Sequence, residues 1–215
     1  MASMPQDLSM KIAVCIKQVP TREWQPRLNE ARTWIREQDA SFEMNEPDAY
    51  ALEEALQLRE KHGGEVVVLC AGPDRAQSTI REALAKGADR AIHVVDESLS
   101  SKDALAVATI LADAARAESP DLILTGLQSD DLGAGQTGVV VAELLGIPHS
   151  TIIMAVEVDA GRVRVKREHL EDPRRSALRD PARCAARRAP DGRGVAHRAG
   201  RRAAWAAAAA RRCRW

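Results

Sequence analysis

The sequence predicts an α/β fold, a doubly wound and mostly parallel sheet with helices on both faces. Three observations carry this expectation. Short β-branched apolar runs alternate with stretches whose apolar residues recur every three or four positions. The connections between them are short, and turns rich in Gly, Pro and Asp stand where a strand gives way to a helix. Several of the apolar runs are continuous, as strands covered on both faces require.

The first element is Met10–Val19, read as a buried strand opening from a methionine, which suggests a start near Met10 and a disordered leader over residues 1–9. A polar stretch follows through Thr33 and Glu43. Asn45-Glu46-Pro47-Asp48 then introduces an amphipathic helix, with Asn45 as a candidate N-cap and Pro47 in the first turn, where its missing N–H costs nothing. His62-Gly63-Gly64 ends it, and Glu65–Cys70 is the next strand. Ala71-Gly72-Pro73-Asp74 turns into a helix running to about Lys86, with Gly87 as a left-handed cap. The alternation continues with strand Ala91–Val95, helix Lys102–Ala117, strand Asp121–Thr125, a Gly-rich loop and helix Gln136–Leu145. Ser150–Val158 and Arg162–Lys166 read as further strands.

Charge divides the chain in two. The 215 residues hold 31 basic and 31 acidic side chains, a formal charge of zero. Residues 1–170 carry 18 basic and 27 acidic side chains, whereas residues 171–215 carry 13 Arg, no Lys and 4 acidic residues. A −9 segment is thus cancelled by a +9 tail of Arg and Ala with one Leu and one Val. So few large apolar residues cannot close a core. The domain is expected over residues 10–167, and the tail over residues 168–215 is expected to be disordered or non-native, with a frameshift near residues 167–173 as its origin. A basic arm for nucleic acid is the alternative for the tail, but Trp205 and Trp215 are not interleaved in a stacking pattern. No nucleic-acid partner is therefore expected.

Several function classes are excluded. No apolar run approaches the roughly 20 residues of a membrane span, and MASMPQDLSM lacks the regions of a signal peptide, so the chain reads as cytoplasmic. Cys15, Cys70, Cys184 and Cys213 form no CxxC pair, and the five histidines show no HExxH, so neither a metal site nor a disulfide framework is indicated. Metal catalysis therefore has no support.

In a doubly wound sheet ligands sit at the carboxyl ends of the strands, which directs attention to three turns. One closes the first strand at Cys15-Ile16-Lys17, and the second is the small-residue turn Leu69-Cys70-Ala71-Gly72-Pro73. The third, Gly126–Gly138, places small residues, a hydroxyl and amides before a helix, where orphan N–H groups can receive a phosphate. Gly133-x-Gly135-x-x-Gly138 matches the dinucleotide fingerprint literally but follows a late strand, and no Gly-Lys-Ser/Thr completes a P-loop. Asp130 and Asp131 stand either as ribose acceptors or as solvated charges.

MKIAVCIKQVP, MNEPDAYALEEALQLREKHG, VVLCAGP, IREALAKGADRAIHV and GLQSDDLGAGQTG followed by VVVAELLGIP resemble, in order and spacing, the β subunit of electron transfer flavoprotein over about residues 10–167. The resemblance implies a Rossmann-like nucleotide-binding domain that pairs with an α subunit, the heterodimer holding one FAD as its redox centre. It implies an AMP buried in the β subunit, or a second FAD in the electron-bifurcating branch. Electrons would come from flavin dehydrogenases such as acyl-CoA dehydrogenases and pass to a quinone reductase, making the chain a carrier and not an enzyme.

Carried over by position, the resemblance puts the nucleotide against Cys15, against Asn45, Glu46, Pro47 and Asp48, against Ala71, and against Gln128, Ser129, Asp130, Asp131, Gly135, Gln136, Thr137 and Gly138. Asn45 serves here as helix cap or adenine partner; the second is favoured because Asp48 can cap from within the turn. Gly133 and Gly135 depart from the family's bulkier polar residues, which leaves both AMP and FAD open. After Arg167 the family's acidic-glycine signature, Leu-Pro-Ala strand and C-terminal arm are not found. Three alternatives stand beside the carrier reading: a stand-alone adenine-nucleotide-binding protein, a nucleotide hydrolase, and an assembly-defective truncated subunit. The first two lack their expected loops, since Lys17-Gln18-Val19-Pro20-Thr21 is no Ser-Gly-Gly-x-Asp-Ser element and no Gly-x-x-Gly precedes a late Gly-Ser.

Overall fold

The computed structural model describes residues 9–33, 35–159, 162–168, 183–184 and 212–214. Its centre is a parallel sheet of β1 (Met10–Cys15), β4 (Gly64–Gly72), β5 (Arg90–Val95) and β6 (Leu122–Thr125), in the order β5-β4-β1-β6. β1 pairs on both sides, with Ile12 opposite Val66 and Leu122. Because successive side chains of a strand point to opposite faces, the continuous apolar runs feed two cores. Ile12, Val14, Val66 and Val68 face Leu52, Ala55 and Leu56 of α1 (Glu46–His62) and Ile80 and Ala83 of α2 (Gln77–Ala85). Ala13, Val67, Leu69, Ile92 and Val94 face Ala108, Leu111, Ala112 and Ala115 of α3 (Ala104–Glu118) and Val141 of α4 (Thr137–Leu145). Helices on both faces of a parallel sheet make the domain doubly wound.

The ends of the elements follow local chemistry. α1 carries Glu46 and Asp48 in its first turn and Arg59, Lys61 and His62 in its last, each complementing the helix dipole. Gly63, at φ 73°, caps it through an N–H to the Arg59 carbonyl. Gly64 starts β4 at φ 116°, and a Cβ there would lie 2.0 Å from the Met10 carbonyl oxygen, so the pairing of β1 with β4 begins at a glycine by necessity. Asp103 caps α3 by accepting from the Ala106 N–H. At the amino edge of the sheet Arg90 bridges Glu65 and Glu118, while the Lys11 N–H donates to Asp121.

Three expectations are corrected. The first apolar run is not one strand: β1 ends at Cys15, and Gln18–Pro20 (β2) pairs antiparallel with Phe42–Met44 (β3) in a separate ribbon. Residues β7 (Ile153–Asp159) and β8 (Arg162–Arg167) do not extend the main sheet but form an antiparallel hairpin. Their alternating pattern covers one face only: Val156 and Val158 pack on the α1 side, and the Val156 N–H donates to Glu54. Ala71 lies within β4, opposite Val94, and not in a turn. Two short strands complete the topology, β9 (Arg183–Cys184) beside β8 and β10 (Arg212–Arg214) antiparallel to β5. The leader over residues 1–8 and the rest of the tail lie outside the described residues.

A histidine is among the fully buried side chains of the sheet. His93 on β5 is 1% exposed, and its Nε2 has no hydrogen-bond partner among the described residues. Burial lowers its pKa against the opposing pull of the Gly72 and Pro73 carbonyls and of Asp74 and Glu97. A depressed base binds fewer protons folded than unfolded, so its contribution is complete above the unfolded value of about 6.5 and is lost as pH falls below it. Urea melts between about pH 7.5 and pH 5.5 will show the parent losing stability relative to His93→Leu as pH falls, the comparison cancelling the opposite contribution of the raised Asp48 carboxyl that both proteins share. An unchanged slope in the variant would refute the assignment.

Candidate functional site

The carboxyl ends of β1 and β6 and the start of α1 meet at one place, and two buried side chains hold them there. Asp48, 7% exposed, accepts from the Lys17 N–H at 2.8 Å and from the Gly126 N–H at 3.0 Å. It thereby joins the segment leaving β1 to the segment leaving β6. Burial pushes its carboxyl up to about 7, against the pull of Lys17, Asn45 and Gly126. Asn45, 1% exposed, donates through Nδ2 to the Gln128 carbonyl and accepts at Oδ1 from the Asp130 N–H, both at 3.0 Å. Asn45 occupies the N-cap position of α1 as expected, but its side chain makes no capping hydrogen bond. The reason is competition: the polar atoms of these two buried side chains are taken by main-chain groups of Lys17, Gly126, Gln128 and Asp130.

Two glycines make the close approach possible. A Cβ on Gly126 would lie 2.2 Å from Asp48 Oδ1 and 2.9 Å from the Pro47 carbonyl carbon. On Gly138 it would lie 2.4 Å from Thr125 Oγ1, so only glycine lets the first turn of α4 settle on the end of β6. Between them Gly133 and Gly135 take φ 64° and 61°, and the Gly133 N–H closes a turn onto the Ser129 carbonyl. Gln136 precedes α4 without capping it through its side chain, and Thr137 opens the helix. The first N–H groups of α4 are thus offered by a glycine-shaped loop.

Charge surrounds this loop. Lys17 Nζ donates to both carboxylate oxygens of Asp131, at 2.6 and 2.7 Å, and to Ser129 Oγ at 3.3 Å. Arg22 pairs with Glu46 at 2.5 Å and with Asp130 at 3.1 Å. Asp130 and Asp131 are therefore paired carboxylates and not simply solvated charges. Burial pushes the Asp131 carboxyl up, but its bonds from Lys17, Ser129 and Leu132 prevail and hold it below the usual carboxylate range. Lys17 and Arg22 are absent from the site set expected from the sequence. The only available signal was a lysine directly past an apolar strand, at the sheet edge where ligands bind.

The remaining candidates take supporting places. Cys15 ends β1 with its side chain in the core, and burial, followed by the field of Asp48, pushes its thiol up to about 12. The same causes act on Cys70, so both thiols are inert. Ala71 stands at the same carboxyl edge on β4. Pro47 lies in the first turn of α1 beneath Gly126. No cluster of three or more metal-ligating side chains occurs among the described residues, and no helix among them is long and apolar enough to cross a membrane.

Residues 33–171 match the model of the electron transfer flavoprotein domain family. The chain is 36% identical over 154 residues to an electron transfer flavoprotein subunit beta of Methylophilus methylotrophus, covering 71% of this chain and 58% of the relative. It is 40% identical over 156 residues to the corresponding subunit of Syntrophomonas wolfei, covering 72% and 60%. Protein FixA of Azorhizobium caulinodans is 40% identical over 166 residues, covering 74% and 59%. The chain thus spans about three fifths of the length of the curated relatives it matches.

The loop's shape depends on the two buried side chains, and substitution will expose that dependence. Asn45→Ala strands the Gln128 carbonyl and the Asp130 N–H and is expected to cost about 1–3 kcal/mol in a urea melt. Gly126→Ala drives a methyl group into Asp48 at a similar cost of about 1–3 kcal/mol. Both variants will be cut by protease within residues 127–136 faster than the parent; equal cutting rates would show that the loop holds its shape without them.

Proposed function

Because the chain belongs to the electron transfer flavoprotein family, we propose that it is a β-type subunit that binds an adenine nucleotide at the carboxyl edge of its sheet and pairs with an α subunit. FAD shared with that subunit supplies the redox centre, taking electrons from flavin dehydrogenases, acyl-CoA dehydrogenases among them, and passing them to a quinone reductase in the cytoplasm. This chain's own residues then bind and orient, and carry no catalytic group.

The observation that supports the nucleotide reading most is the coincidence of cations and free helix N–H groups at one loop. Gln136, Thr137 and Gly138 open α4 without a side-chain cap or an acidic residue in its first turn, and Lys17 and Arg22 stand beside the preceding loop. That donor set suits a phosphate. Asn45 and Asp48 serve by holding Gln128–Asp131 and the ends of β1 and β6 in place, with Cys15, Glu46, Pro47 and Ala71 forming the floor and flank. Gly135, at positive φ and placed so that a Cβ would meet the Leu127 carbonyl oxygen at 3.5 Å, keeps the loop folded back toward the phosphate. AMP is the favoured occupant; a second FAD at the same place is the variant reading.

A second reading, a subunit that keeps its nucleotide site but assembles poorly, draws on the family match ending at residue 171 of 215.

Extraction of the purified chain followed by chromatography is expected to yield AMP at about one equivalent. FAD in its place identifies the bifurcating type, and an empty site with ATP turnover defeats the carrier reading. Co-expression with a candidate α subunit is expected to give a yellow heterodimer, and a colourless, unassociated chain that retains AMP supports the assembly-defective reading.

A further inference from the structure

Lys17 combines a fixed backbone with a transferable charge. Its N–H is held by Asp48 and its carbonyl by the Asn45 N–H, at 2.8 and 2.9 Å, so its Cα cannot move without breaking the tie between β1 and α1. Its side chain is bound only at the ammonium, which meets Asp131 and Ser129. The ammonium can leave these partners by rotation about side-chain bonds alone.

The charge balance around the loop makes such a transfer consequential. Lys17 and Arg22 face Glu46, Asp130 and Asp131, with the carboxyl group of Asp48 behind Lys17, so carboxyl groups outnumber cations at this mouth. A nucleotide phosphate approaching it meets cations already neutralised, and it binds well only by taking one from its carboxylate. Arg22 is the poorer candidate, because its side chain is 63% exposed and divided between two carboxylates in screened surroundings. Lys17 is 39% exposed, and its partner Asp131 only 18%, where attraction is less screened.

We propose that Lys17 determines the preference of this site for a phosphorylated nucleotide over its nucleoside, by passing its ammonium from Asp131 to the phosphate. Asp131 keeps the ammonium in place until then and competes with the ligand for it. The proposal rests on the nucleotide reading above and assigns a residue and an exchange that reading does not contain.

The predictions for Lys17 and for Asp131 run in opposite directions, which separates an exchange from a structural tie. AMP and adenosine are titrated calorimetrically into the full chain after bound nucleotide has been dialysed away. Lys17→Met is expected to weaken AMP roughly tenfold or more, as loss of a charge-assisted hydrogen bond does, and to change adenosine by less than about twofold. Asp131→Asn frees the ammonium and is expected to tighten AMP by about threefold or more with adenosine again unchanged. Lys17→Arg keeps the charge and is expected to keep the preference, and melting curves of all three variants check their folding. An AMP-to-adenosine ratio in Lys17→Met equal to that of the parent overturns the proposal, as does weakening of AMP by Asp131→Asn. A parent that binds neither compound overturns the nucleotide reading itself, whereas a parent that binds both equally overturns only the role of Lys17.

Discussion

A single buried carboxyl group connects the ends of β1 and β6 after the ladder between them has stopped. β1 and β6 are neighbours in the sheet, but past Cys15 and Thr125 their chains diverge into unrelated loops. Asp48 takes one N–H from each, Lys17 and Gly126, and stands on a helix that packs against the same strands. Such an arrangement tolerates no bulk, which is why position 126 is glycine. It also tolerates no unpaired partner, since a lost acceptor in a buried place costs the full desolvation of the donor.

The two edges of the sheet are secured by different chemistry. At the amino edge Arg90, Lys11, Glu65 and Glu118 form a partly exposed ion-pair cluster, an arrangement that adapts to small displacements and is screened by salt. At the carboxyl edge the ties are directional hydrogen bonds to main-chain groups, from side chains shielded from water. The ion pairs of Lys17 and Arg22 are laid over these ties and leave the main-chain positions they fix unchanged. Helix packing follows the same division of labour. Ala13 on β1 faces Ala108, Ala112 and Ala115 of α3, and these small side chains bring helix and sheet close without demanding precise interlocking.

Much of the fold was legible because burial on both faces writes itself as continuous apolar runs, and β1, β4, β5 and β6 are such runs. Sheet membership was less legible. Ile153–Asp159 and Arg162–Arg167 have strand composition, but nothing in a strand's own pattern names its neighbour, and their pairing with each other depends on the α1 surface available to Val156 and Val158. The ribbon of Gln18–Pro20 with Phe42–Met44 joins segments separated by a polar stretch that gives no periodic signal. The segments that meet at this edge, the strand ends and the Gly-rich loop, were readable. The use of its side chains was not. Asn45 has the composition of a cap, yet its amide goes to Gln128 and Asp130, more than eighty residues away, a destination visible only in three dimensions. Lys17 and Arg22 escaped attention because a charged residue beside a strand is ordinary until its partners are known.

The hydrogen bonds of Asp48 and Asn45 cross 31, 78, 83 and 85 residues of chain. Contacts of that span form late, since the loops they close must be gathered first and the strands between them must already be in place. The Gly-rich loop therefore takes its held shape as β1, β6 and the start of α1 come together. Occupancy of the site becomes a measure of completed folding, and any ligand held there draws the population toward the closed sheet by mass action. For a newly synthesised chain, nucleotide concentration would then act as a term in its own maturation.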